Sequence, residues 1–459
     1  MKKGIVSLLA VTTVLMGSAV ASGETLEEAL AAAYESNPQL MAQRAALRAT
    51  DEGVSRARSA FLPSLSGEYT HSEGETDVEA NGVTASSKPK SDRYNLTASQ
   101  SIFNGFRDRN AVKSAKSSVM AGRAQLQSVE QQVLLEAVTA YMNVLRDEAV
   151  VELNKNNVQV LERQLQASQD RFRVGEVTRT DVAQSEARLE GAKSTLLSAE
   201  AGLAASRAQY RRVIGDTPGS LESPASKPEL PVDLDAAIEL AMELSPGVIA
   251  ARFNEEAAKH GVSQARGAFS PTVGVQASWT KTSSNQFDDP ITGGVANGST
   301  TNKSVGVQLS VPLYQGGSRF SELRRAKQVR SQRLMDIRQA ERVAQENVFV
   351  AWDQYRAAVG QIRSSEAQVR ASEIALEGVR QEAYVGSRTT LDVLNAEQEL
   401  LNARVALVRA QRDEAVTAYS LVSATGKLTA KDLQLGVTAY NPDVYYDKVE
   451  DKFIGADIE

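Results

Sequence analysis

"AYVGSRTTLDVLNAE", residues 383–397, reads as the end of one helix, a glycine turn and the capped start of another. Gly386 supplies the positive φ that ends a helix without steric cost. Thr389-x-x-Asp392 is a capping-box-like start, in which a hydroxyl and a carboxylate satisfy free amides of the first turn at about 1 kcal/mol per cap. A near copy, "RFRVGEVTRTDVAQSE", occupies 171–186. Gly175, Asp181 and Glu186 each lie 211 residues before Gly386, Asp392 and Glu397. A hairpin tip built twice at a constant offset is the mark of a duplicated chain.

The duplication extends outward from the tips. "LEEALAAAYESNPQLMAQRAALRATDEGVSRARSAFLPSL" from Leu26 recurs without a gap as "LDAAIELAMELSPGVIAARFNEEAAKHGVSQARGAFSPTV" from Leu234, carrying Pro38 onto Pro246, Arg58 onto Arg266 and Pro63 onto Pro271. "SIFNGFRDRNAVKSAK" (101–116) likewise matches "PLYQGGSRFSELRRAK" (312–327). These matches predict a first repeat over 22–215, a Pro/Ser-rich linker over 216–232, a second repeat over 233–426 and a C-terminal tail over 427–459. In front of them, "MKKGIVSLLAVTTVLMGSAVA" has the lysines, the short apolar run and the small residues of a secretory signal peptide over 1–21, cut after Ala21.

Within each repeat the period of the apolar residues changes in order. Two short helices come first, broken at Asn37-Pro38 because proline disfavours a helical residue before it. Alternating segments follow: Leu65 and Tyr69 oppose Ser66, Glu68 and Thr70. In the second repeat Val273, Val275, Ala277 and Trp279, then Val305, Val307, Leu309 and Val311, alternate with small polar residues. Polar Gly-rich stretches at 72–91 and 283–302 read as loops joining paired strands. After the second strand of each pair a helix without internal proline runs from Arg107 to Val174 and from Ser318 to Val385, roughly 100 Å at ~1.5 Å per residue. A second helix returns from each tip, from Thr178 and from Thr389.

Four strands cannot close a barrel and an isolated hairpin is marginal in water. Such alternation is usual in a soluble sandwich, for which each repeat offers only two strands; if instead the strands span an outer membrane, where about 10 residues suffice, several chains contribute to one barrel and the helices project on one side as coiled pairs. No stretch after the signal approaches the ~20 consecutive apolar residues of a spanning helix.

Composition removes other function classes. A formal charge of −6 without a basic block gives no electrostatic footprint for nucleic acid. There is no cysteine, hence no thiolate metal site and no cysteine nucleophile. His71 and His260 have no partner at ligand spacing, no G-x-S-x-G occurs, and "TGKLTA" lacks the rest of a phosphate loop. No catalytic, metal or cofactor site is expected, and the protein is read as no enzyme.

The duplicated order of helices, strand, strand and long helical hairpin, with "SIFNGF" and "PLYQGG" opening the long helices and V-G-x-x-T-x-x-D-V at the tips, resembles the TolC family of outer-membrane channel-tunnels over essentially the whole mature chain. The resemblance implies a mainly α fold with membrane β: a homotrimer whose twelve strands form one barrel among outer-membrane lipid and whose helices form a periplasmic tunnel. It implies an exit duct joined through a periplasmic adaptor (membrane fusion protein) to an inner-membrane ABC transporter or proton-driven pump. The aromatic, charged tail "AYNPDVYYDKVEDKFIG" resembles tails of secretion-type members, which makes type I protein secretion the first expectation and multidrug efflux the alternative. An exported coiled-coil structural or adaptor protein is the reading from another class. Carried over residue by residue, Arg388 matches an arginine bridging to the adjacent hairpin, Thr180 and Asp181 its partners, and Asp392 one of two acidic rings narrowing the periplasmic gate. Asn395 stands where the second ring has its acid. Gly175 and Gly386 mark the hairpin tips.

Overall fold

In the computed structural model, residues 24–224, 227–284 and 298–457 are described. The signal peptide over 1–21 and the centre of the 283–302 stretch lie outside them.

The element order repeats as the sequence predicts. Helix α1 (Leu26–Ser36) is followed by α2 (Pro38–Arg58), with Asn37 extended between them; its Oδ1 accepts hydrogen bonds from the amides of Gln39 (2.9 Å) and Leu40 (3.4 Å). Strands β1 (Ser64–Glu73), β2 (Thr76–Ala80), β3 (Val83–Ser87) and β4 (Lys90–Phe103) come next, then the 67-residue α3 (Arg107–Arg173) and its return helix α4 (Arg179–Ile214). The second repeat supplies α5 (Leu234–Leu244), α6 (Pro246–Gly267), β5 (Thr272–Ser284), β6 (Gly298–Ser310), a second 67-residue helix α7 (Ser318–Tyr384) and α8 (Thr390–Ala424). Ser245 before Pro246 adopts φ −60° and ψ 121°, nearly the −65° and 122° of Asn37, so the same proline break is used twice. A short α9 (Asp443–Val449) lies in the tail.

The strands β1, β4, β5 and β6 form one antiparallel sheet in that order, mixing both repeats, with β1 and β6 at its edges. Its register puts Leu65, Ala98, Ala277 and Val305 in one row, and Val273 beside Leu309 and Val275 beside Val307 on the same face. That face is apolar yet open: Leu65 is 70% and Val305 80% exposed. The other face carries Ser66, Thr97, Ser278 and Ser304 in register. The alternation read from the sequence is therefore coherent across all four strands.

The 72–91 stretch is not an irregular loop. It folds as the β2–β3 hairpin, turning on Asn81 (φ 53°) and Gly82 (φ 72°) with Ala80 paired to Val83. Two consecutive positive φ values define a type I′ turn, for which Asn-Gly is the favoured pair. Strand residues also continue through Ser284 and from Gly298, so the ends of the 283–302 stretch are ladder rather than loop.

Close contacts divide the chain into two compact units, each drawing on both repeats. One holds the residues up to Glu35, Glu136–Lys227 and Ile362–Ala415; in it Tyr141 donates its hydroxyl to the carbonyls of Glu24 (2.8 Å) and Glu222 (2.6 Å), and Glu24 forms a parallel bridge with Leu221. The segment predicted as a linker thus straps the start of the described chain. The other unit, Ser36–Leu135, Pro228–Gln361 and Val416–Glu459, contains the sheet and the tail.

The tail is docked by arginines. Arg44 lies over the Tyr440 ring at 5.1 Å, Arg48 over Tyr445 at 5.9 Å and Arg123 over Tyr446 at 5.6 Å. Arg58 pairs with both Glu450 and Asp451, and Ser55 Oγ donates to the Lys452 carbonyl at 2.8 Å. Beside this ladder Asp51 is 1% exposed with neither carboxylate oxygen hydrogen-bonded. Burial pushes its pKa up to about 6 although Arg123 opposes the shift, and Glu52 and Asp443 add to it. A folded-state value above the ordinary carboxylate range means that the folded state binds this proton more tightly than the unfolded one, so Asp51 destabilises the fold above pH ~6 and ceases to do so on acidification. Asp51→Asn should therefore raise the melting temperature by a few degrees at pH 7.5. The advantage should shrink as pH falls from about 6 toward the ordinary value of 3.8, as thermal melts of both proteins across that range will show.

Candidate functional site

Both long helices end in the same Schellman motif. In the first hairpin the Gly175 amide donates to the Phe172 carbonyl (3.0 Å) and the Glu176 amide to Arg171 (2.9 Å). In the second, the Gly386 amide donates to Ala383 (3.2 Å) and Ser387 to Glu382 (2.9 Å). Gly175 and Gly386 both have φ 81°, a left-handed conformation that a Cβ would penalise. The valines just before them, Val174 and Val385, are exposed.

The return helices start on matching capping boxes. The Thr178 amide and hydroxyl donate to Asp181 Oδ2 (2.8 and 2.7 Å), and the Asp181 amide donates back to Thr178 Oγ1 (3.3 Å). Thr389 and Asp392 reproduce this at 3.0, 2.8 and 3.3 Å. These bonds lower both carboxyl pKa values, chiefly through the Thr178 hydroxyl for Asp181 and the Thr389 amide for Asp392. Both groups are charged at neutral pH, and the caps hold that charge at the tips.

Around this turn chemistry the structure places the remaining predicted residues. Arg388 Nε donates to Glu382 Oε2 at 2.8 Å within its own hairpin, and that hydrogen bond raises the arginine's pKa. Thr180 is exposed one residue before Asp181. Asn395 Oδ1 accepts from Arg188 Nη2 at 2.7 Å, joining α8 of the second hairpin to α4 of the first. Two residues further along α8, buried Glu397 accepts from Arg380 Nη2 at 3.0 Å, while its repeat counterpart Glu186 is exposed.

Sequence reasoning did not single out Glu382, Arg188 or Leu394. Glu382 was within reach of it: a Schellman motif folds the backbone after the glycine back over its C3 residue, so Arg388 is delivered to the side chain at 382. Leu394, 2% exposed, shares an apolar cluster with Val158, Leu161, Leu189 and Ala192 of the first hairpin, which only the packing of the helices discloses. Among the described residues no group of three acidic or histidine side chains is placed to hold a metal ion, and no helix is long and apolar enough to cross a membrane.

Comparison with known proteins follows the same outline. The outer membrane efflux protein family matches residues 29–216 and 237–427, which coincide with the two repeats. The chain is 35% identical to the outer membrane efflux protein BepC of Brucella suis, covering 96% of this chain and 94% of that one. It is 27% identical to the outer membrane protein TolC of Escherichia coli over 91% of this chain and 85% of the relative. The alkaline protease secretion protein AprF of Pseudomonas aeruginosa is 26% identical over 88% and 84%. In fold the chain is similar to the CmeC outer membrane channel of Campylobacter jejuni, with a TM-score of 0.76 over 93% of this chain and 89% of that one at 16% identity.

The tip geometry makes a direct prediction. Gly386→Ala should cost about 1–2 kcal/mol at its turn. The Ser387 amide, tied to the Glu382 carbonyl, should then exchange its hydrogen roughly tenfold faster by mass spectrometry, with the exchange of the sheet unchanged.

Proposed function

Because the chain belongs to the outer membrane efflux protein family, we propose that it works as the homotrimeric exit duct of a tripartite export system, with twelve strands closing one barrel. The protein is a TolC-type outer-membrane channel that extends into the periplasm. The observation that carries the oligomer reading is the sheet, with two edges unpaired among the described residues and an open apolar face; the number three is taken from the resemblance to the TolC family. Since β1, β4, β5 and β6 are antiparallel throughout, β6 of one copy meets β1 of the next in the antiparallel sense, so the ladder closes without a parallel pair. The apolar face then lies against lipid, and the Ser/Thr face lines a wet lumen.

Nothing in the chain resembles a nucleotide-binding loop, so the duct is passive and an inner-membrane ABC transporter or proton-driven pump, linked through a periplasmic adaptor, supplies the energy. For the cargo, small-molecule efflux is the reading favoured by the 35% identical relative, whose name is that of an efflux protein. Type I protein secretion is the second reading, supported by similarity to AprF, named for protease secretion, and by the docked aromatic tail. A passive duct is compatible with both, because the transporter selects the cargo.

At the periplasmic end, Asp392 from three chains forms an acidic constriction. There Arg388 exchanges Glu382 for Thr180 and Asp181 of the adjacent hairpin when the gate is locked. Field lines focused between low-dielectric walls make such a ring cation-preferring. Asn395 removes the second acid from this lining.

Purified protein should run as a heat-sensitive trimer and give discrete conductances in planar bilayers; a soluble monomer without conductance would overturn the proposal. Asp392→Asn keeps an acceptor for Thr389 while removing the charge. It should leave helix content unchanged and move the reversal potential in a KCl gradient toward zero. Arg388→Ser should raise conductance if its ion pairs lock the gate.

A further inference from the structure

Facing residues of paired strands share a side of the sheet, so the register extends the apolar face row by row. Beyond Ala98, Ala277 and Val305 lies the row Gly67, Leu96, Trp279 and Lys303, and beyond that Tyr69, Tyr94, Lys281 and Thr301. Strand β1 starts after α2 and β4 ends before α3, so these rows stand toward the end of the sheet remote from the helices. Three of their residues are aromatic, and the rings of Tyr69 and Tyr94 pack with centroids 5.0 Å apart. An aromatic girdle of this kind marks the membrane–water boundary of a barrel.

The fold does not account for two lysines on this face. Lys281 and Lys303 are diagonal neighbours on paired strands, both exposed, and among the described residues neither has an ion-pair partner. Other charges of the face are satisfied by one another: His71 Nδ1 lies 2.8 Å from Asp92 Oδ1, and Lys90 Nζ 2.7 Å from Glu73 Oε1. On β1, the strand that a second copy lays beside β6, Glu73 is the only acid of this face. Because Glu73 is already engaged, the neighbouring β1 brings no free carboxylate to Lys303. Beside the lysines runs a groove of about 310 Å³, lined by Leu96, Ala98, Ala277, Trp279, Lys303 and Val305, where the two alanines are too small to fill the face.

We propose that this patch binds an outer-leaflet glycolipid bearing a phosphomonoester: an acyl chain lies in the groove against Trp279, and Lys281 and Lys303 together hold the phosphate. The proposal rests on the barrel reading above, in which the apolar face meets lipid. Lysine stems cross apolar surface while their ammonium groups reach the headgroup layer, which is where the aromatic rows place them. Two adjacent cations with no acid between them repel each other. A phosphomonoester, with a charge of about −1.5 to −2 at pH 7, neutralises both, whereas a phosphodiester supplies a single charge. With the helices in the periplasm, the end of the sheet remote from them lies in the outer leaflet.

Native mass spectrometry of the trimer in detergent, titrated with diphosphoryl lipid A or with phosphatidylglycerol, tests the site. Wild type should retain lipid A at about tenfold lower concentration than phosphatidylglycerol, and equal retention of the two overturns it. Lys281→Gln and Lys303→Gln should each weaken lipid A binding roughly fivefold. Arg93 is exposed on the opposite face, in register with Thr70 and Thr282, and Arg93→Gln removes the same charge there. That variant should bind lipid A as wild type does; a loss as large as that of the lysine variants makes the effect one of overall charge and overturns the site. Excess glucose 6-phosphate should not displace the lipid, and displacement would overturn the part given to the acyl groove. Conducting wild-type trimers without a preference for lipid A reject the site alone. Absence of conducting trimers rejects the barrel reading and the site with it.

Discussion

Unpaired backbone polar groups cannot be left facing lipid, because each costs several kcal/mol without water to bind it. The β1–β4–β5–β6 sheet presents two such rows, one at each edge, on a segment whose apolar face is open. A single copy leaves those rows unsatisfied. Pairing between copies is the consistent solution, and from it follow the closed barrel and the wet lumen. The duplication serves the same end: β4 of the first repeat pairs with β5 of the second, so one chain delivers four contiguous strands.

The helices have a different constraint. Two helices of 67 residues each cannot be buried in a compact core, and their stability rests on pairing with their return helices. The tips make that pairing possible by ending one helix and starting the next within five residues, with the orphaned carbonyls and amides satisfied by the Schellman motif and the capping box. Having met that requirement identically in both hairpins, the chain differs in what it adds: Arg388 beside Glu382 at the second tip, and Leu394 against the first hairpin. Turn chemistry and candidate gate chemistry therefore occupy the same dozen residues without competing for the same atoms, except at Asp181 and Asp392, where the carboxylate serves the cap and supplies charge.

Most of the fold was legible because it depends on local signals. The Asn37-Pro38 break, the two tip motifs and the period-two strands each specify their own backbone, and the observed helix ends lie within a residue or two of those read from the sequence. The β2–β3 hairpin was missed because the polar composition of 72–91 outweighed its Asn81-Gly82 turn, although that pair is a specific hairpin signal. The candidate site was legible only in part. Gly175, Gly386 and the caps follow from spacing alone, whereas Arg188, Leu394 and the arginine-tyrosine ladder over the tail depend on which helix faces which. Buried Asp51 belongs to that second class, since nothing in "ATDEG" distinguishes it from the exposed Glu52 beside it.

The central claim is that the sheet edges are closed by other copies of the same chain. Hydrogen exchange of the protein in lipid nanodiscs, resolved to the individual strands, tests it most directly. The account predicts that amides of β1 and β6 exchange as slowly as those of β4 and β5. Fast exchange confined to β1 and β6, with the inner strands protected, would contradict it.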